Sequence, residues 1–231
     1  MTTYTAAQIV QDALAIAKCP GFTAQGGRAL NFVLDDLALH RNLKVNLVTT
    51  QIAVGASSNG PFLLEANYLR TYDLRFYVSG EPYFLEPASL REIDSEVVSS
   101  GQTNYPYEFA TDLSPVAAGG QGLLYIYPAS NSGLTLTHRY YLQQAQLSAP
   151  ETNQAVPWFS DQDYLVQATA LRMMRVTDDS RYNDWTIMCE KMLDKHLLTE
   201  GDEQQVVKEV RLDPRRFRVS GAGRPTKLNP Y

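Results

Sequence analysis

The side chains able to do chemistry are few in this sequence and poorly spaced for it. His40, His138 and His196 are the only histidines, and none lies within five residues of another His or of a Cys. Metal-ligand spacing is therefore absent, and each reads as a structural or surface residue. Cys19 and Cys189 stand far apart, outside any C-x-x-C pair, and are expected to be buried reduced thiols. There is no G-x-S-x-G elbow for a nucleophilic serine. GGQG at 119–122 precedes a strand pattern instead of opening a helix, and GAG at 221–223 leads into Pro225, so neither offers the backbone cradle that phosphate needs. The acidic pairs Asp35–Asp36 and Asp178–Asp179 are sequence neighbours, which point about 100° apart on a helix and do not converge as an acid/base pair. Glycoside hydrolysis would need two facing carboxylates. Glu65, Glu81, Glu86, Glu92 and Asp94 are the available members, but no spacing selects two of them. The chain is not expected to be an enzyme, nor to hold a cofactor or metal.

The elements that would position such residues fall into two kinds. Thr5 with Gln8 forms a capping-box pattern, and Ala6, Ile9, Ala13, Ile16 and Ala17 recur at helical spacing until Pro20 and Gly21. From Ala24 to about Arg41, Leu30, Val33, Leu34, Leu37 and Ala38 make one apolar stripe. A third helix opens at Ser160 with Asp163 and runs to Thr177 and Asp178. A fourth opens at Ser180, carries Trp185, Met188, Cys189, Met192, Leu193, His196 and Leu197 on one side, and stops at Gly201.

Between these helix pairs the period changes. Pro and Gly recur, short runs alternate, and ten of the fourteen tyrosines lie in residues 45–147. The expected strands are VNLVTTQIAV, YDLRFYV, PYFLEP, PYEFAT, LLYIYP and LTLTHRYYL, with a short helix at SLREI opened by Ser89 and Glu92. GLLYIYPASNSGLTLTHRYYL, residues 122–142, reads as a hairpin. Leu124, Ile126, Leu134 and Leu136 would face its core, while Tyr125, Tyr127, Arg139 and Tyr141 share the opposite side with Thr135 and Thr137. Tyrosine pairs an apolar face with a polar tip and suits a surface buried on assembly, so Tyr125, Tyr127, Arg139 and Tyr141 are the expected subunit interface. The fold class is α+β: a helical bundle formed by the N- and C-terminal helix pairs, an inserted and mainly antiparallel β domain, and an extended C-terminal arm. The boundaries are 1–44 and 159–201 for the bundle hairpins, 45–158 for the insert and 202–231 for the arm.

The overall charge of -5 hides an asymmetry. Residues 211–231 hold six basic side chains against Asp213 alone, a net +5, while the other 210 residues carry 14 basic and 24 acidic ones, a net -10. No stretch has the length of apolar sequence that crosses a bilayer, and the N-terminus lacks the pattern of an export signal, so a cytoplasmic site of synthesis is expected.

The order of features resembles the head-to-tail adaptors of tailed bacteriophages, the head-completion or tail-accessory family that sits beneath the portal. The shared elements run from near the N-terminus to about residue 200. They are an opening helix, a second helix of the ALNFVLDDLALHRNL type, an extended FLLEANYLRTYDLRFY segment, the LEPASLREID loop and helix, LLYIYPASNSGLTLTHRYYLQQAQLS, VPWFSDQDYLVQATALRMMR and a last helix. The family pattern usually places a tryptophan near the end of helix two, where this chain has Leu39, His40 and Arg41. The resemblance implies a structural virion protein of the phage neck. It would form a twelvefold ring of its own copies, bind the portal protein above and a nozzle or other tail protein below, and let genomic DNA pass without sequence-specific contact. In that setting the arm would dock on the portal through Arg211, Arg215, Arg216, Phe217, Arg218, Arg224, Lys227, Leu228 and Tyr231. An acidic body fits a channel in which DNA must slide. Two other classes remain open on sequence: a carbohydrate- or receptor-binding β module that stacks ligands on tyrosines, and the cell-wall hydrolase considered above.

Overall fold

The computed structural model describes residues 3–100, 103–118 and 120–200. Helix α1 (Ala6–Ile16) begins with all four of its free amide donors matched. The Thr5 and Gln8 amides are satisfied by each other's side chains in the capping box, and the Ala6 and Ala7 amides donate to the Ala155 and Asn153 carbonyls. The chain returning at 153–155 is thereby tied to the start of the molecule. Helix α2 (Thr23–His40) packs closely on α1 because Gly26 has no side chain: a Cβ there would lie 3.0 Å from Val10 Cγ1 and 3.1 Å from both Leu14 methyl carbons. Helices α3 (Leu90–Ser100), α4 (Gln162–Thr177) and α5 (Tyr182–Glu200) follow. Asp161, not Ser160, caps α4, accepting from the Tyr164 amide at 3.0 Å. Ile9, Leu14, Leu30, Leu37, Phe159, Leu165, Met174 and Leu193 join in one core, so the first and last helix pairs form a single bundle as the sequence indicated.

The insert is a two-sheet sandwich. One sheet has the order β1 (Leu47–Val54), β10 (Leu134–Leu142), β3 (Tyr68–Val78), β4 (Glu81–Phe84), all antiparallel. The other has the order β2 (Phe62–Leu63), β8 (Leu123–Tyr127), β7 (Glu108–Asp112), β5 (Glu86–Pro87), with β5 parallel to β7. A third, two-stranded pairing joins β6 (Thr103–Asn104) to β9 (Ala129–Ser130). Leu74, Phe76 and Leu136 from the first sheet meet Leu124, Ile126 and Phe109 from the second in a buried layer.

This topology corrects the expected hairpin. β8 and β10 are consecutive long strands, yet they lie in different sheets and face each other across the core. β8 takes β7 as its antiparallel neighbour and β10 takes β1 and β3, while β9 between them pairs with β6. Among the described residues, no helix is long and apolar enough to cross a membrane.

Candidate functional site

Because β8 and β10 occupy separate sheets, their outward residues lie on opposite sides of the sandwich. Beyond β8, helix α3 covers the sheet. Ile93 from α3, Ala110 from β7 and Tyr127 from β8 form a small second core, with Tyr125, Ala88 and Leu90 packed against it. Tyr127 is only 4% exposed and meets the Tyr107 ring edge-on at 6.0 Å. Tyr125 and Tyr127 therefore hold α3 to its sheet, and they do not share a surface with Arg139 and Tyr141.

Beyond β10, no helix among the described residues covers the middle of the sheet. Arg139 donates from Nε to Asp73 Oδ2 at 2.8 Å and makes a second, very short contact from Nη2 to the same oxygen. Its guanidinium lies 4.7 Å from the centre of the Tyr72 ring. Arg75 Nε stands 3.9 Å from Asp73 Oδ1, beyond hydrogen-bond reach, and neither atom has a hydrogen bond among the described residues. The Arg75 guanidinium sits between Tyr77, at 5.9 Å, and Phe84, at 5.7 Å. Two arginines thus share one carboxylate within a ring of aromatics. Tyr72, Tyr77 and Phe84 are 44%, 52% and 55% exposed, and Thr49 and Gln51 of the neighbouring β1 are exposed on the same face.

Tyr141 closes one end of that face and is itself buried, at 3% exposure. Arg70 lies over its ring at 4.7 Å and donates to the carbonyls of Ala38, Leu39 and Arg41 and to Asn42 Oδ1. Those carbonyls belong to the end of α2 and the turn after it, where a cation is favoured. Arg70 is thus the bolt between bundle and insert. Two more links reinforce it: Asn31 exchanges hydrogen bonds with both backbone groups of Leu147, and Gln146 donates to Asp35.

On the inner side of β10, His138 is buried with Nε2 at 3.1 Å from Thr71 Oγ1, among the rings of Tyr68 and Tyr140. Burial pushes its pKa down to about 4, against the opposing pull of Asp73. His196 packs on Phe159, with a ring separation of 4.6 Å, and stands 3.8 Å from Asp161. His40 pairs at the surface with Asp36 one helical turn away. The three histidines have no partner in common among these contacts, and no group of three metal-ligating residues is found among the described residues. Cys19 and Cys189 are free and buried, and burial raises both thiols, that of Cys189 to about 11.

The α3 side has the opposite chemistry. Between Glu86 and Asp112 the chain carries Glu86, Glu92, Asp94, Glu96, Glu108 and Asp112 against Arg91 alone, a net charge of -5. Burial, and then Glu108, Tyr127 and Glu96, push the Tyr107 hydroxyl upward. The arm residues Arg211, Arg215, Arg216, Phe217, Arg218, Arg224, Lys227, Leu228 and Tyr231 lie outside the described residues. Of the expected interface set, Arg139 lies on this face, Tyr141 is buried at its end beneath Arg70, and Tyr72, Asp73, Arg75 and Phe84 were not singled out. For Asp73 and Arg75 the signal was the alternation in YDLRFY, with Asp73, Arg75 and Tyr77 on one face and Leu74 and Phe76 on the other; Tyr72 falls at a register shift and Phe84 on the neighbouring strand, where alternation did not mark them. No protein-family model matches this chain, and the search of curated proteins gives no match.

Proposed function

We propose that this chain is a structural subunit of a phage neck, a head-to-tail adaptor that forms a ring under the portal, extends the DNA channel and offers the tail its platform. The observation that carries the reading is the open face of the β1-β10-β3-β4 sheet. Exposed Tyr72, Tyr77 and Phe84 around Arg75 and Arg139 form a surface of the residue types that dominate protein interfaces, rigidly mounted on a bundle. The order of helices and strands, which resembles the adaptor family, gives that surface its setting. Portal protein, a tail protein, further copies of the chain and passing DNA are the partners in this reading, the virion neck its location, and the basic arm the element that reaches the portal. Fully extended, residues 211–231 would span about 70 Å, enough to climb a neighbouring ring.

The test is co-sedimentation with the portal protein of the same virus. Full-length protein should travel with the portal at moderate salt, and a chain ending at Glu209 should lose most of that binding. Equal binding by both chains removes the arm from the proposal, and no binding by either removes the adaptor role.

A further inference from the structure

We propose that the open arginine and tyrosine face of one subunit receives the acidic α3 layer of a second copy of this chain. This deepens the adaptor reading and rests on it only for the closure of the contacts into a ring. The two surfaces lie on opposite sides of the sandwich, because α3 covers one sheet and the exposed aromatics stand on the other. That placement suits a head-to-tail contact, which needs two different patches on each subunit and closes into a ring when the rotation permits.

The charges match across such a contact. On the α3 layer, Ile93 points inward while Glu92 and Asp94 are exposed on either side of it. On the open face, Arg75 and Arg139 share Asp73, and Arg139 holds that carboxylate by hydrogen bonds. A carboxylate arriving from a neighbour would give Arg75 a partner of its own and leave the Arg139–Asp73 pair intact. Tyr72, Tyr77 and Phe84 would supply the apolar contact around it. Pairing the open face with its own copy would instead set arginine against arginine. Arginines among aromatics also suit nucleic acid, but Asp73 sits between them and the body outside residues 211–231 carries -10, which disfavours a phosphate backbone.

The experiment uses the full chain and two surface variants, Arg75→Ala/Tyr77→Ala on the open face and Glu92→Lys/Asp94→Lys on the α3 layer, each checked for an unchanged melting curve. Sedimentation equilibrium is run over rising concentration at low and high salt. The wild type should self-associate more at low salt, and each variant should associate about tenfold more weakly or worse. Mixed one to one, the variants should form dimers that grow no further, because each keeps the face that the other has lost. The contact is overturned if the wild type stays monomeric at every concentration in low salt, if both variants associate like the wild type, or if the mixture grows past dimers. It is also overturned if the open-face variant loses binding to a single-stranded oligonucleotide while its self-association is unchanged. Self-association of the expected kind without portal binding would uphold the contact and defeat the adaptor reading alone.

Discussion

The two sheets of the insert use tyrosine in opposite ways. On the sheet built around β8, Tyr127 is buried under α3 and contributes to folding, while on the sheet built around β10, Tyr72 and Tyr77 stand beside arginines in solvent. Both sets sit on strands whose inner side is apolar, although β8 is uncharged and β3 carries Arg70, Asp73 and Arg75. What buries Tyr127 is a covering element contributed from elsewhere in the chain, so the role of a tyrosine here is decided by topology as well as by its strand.

The largest test of this contrast is Tyr127→Ser. Losing a buried aromatic from the α3 core should cost about 3–4 kcal/mol in thermal or urea unfolding. Tyr77→Ser, on the open face, should change stability by less than about 0.5 kcal/mol. Equal losses at both positions would erase the distinction between a covered and an open sheet.

Acidification should act on the inner side of β10. His138 is neutral in the fold with a pKa of about 4, whereas an unfolded histidine takes up its proton near 6.5. The unfolded chain therefore binds the extra proton, and stability present above pH ~6.5 is lost as pH falls toward ~4, by up to about 3 kcal/mol. His138→Gln should flatten that part of the profile measured by urea midpoint against pH.

The joint between bundle and insert comes next. Arg70→Ala removes one cation from three carbonyls and the Tyr141 ring, and should cost about 2 kcal/mol with the first loosening at the end of α2, visible as faster amide exchange there. Smallest is Thr5→Ala, which removes the cap of α1 for about 1 kcal/mol and leaves both sheets unaffected.

Much of the bundle was legible because its signals are local. The Thr5–Gln8 box, the Leu30 to Ala38 stripe and the Trp185 to Leu197 side all lie within a few turns of chain, while two starts shifted: the α4 cap from Ser160 to Asp161, and the opening of α5 from Ser180 to Tyr182, with Asp179 accepting from the Arg181 amide. The insert was legible as strands but not as a surface. Alternation fixes that Leu124 and Tyr125 point to opposite sides, but not which strand lies beside β8 or that α3 covers it. The Arg139–Asp73 pair joins residues 66 positions apart, and a pairing of that range leaves no mark within either segment.

The most direct measurement of the adaptor proposal is the native mass of the purified chain alone and after mixing with the portal protein of the same virus. An adaptor gives a monomer or small oligomer alone and a complex with twelve copies on the portal ring. A chain whose mass is unchanged by the portal, or that adds a number of copies unrelated to the portal's symmetry, contradicts it.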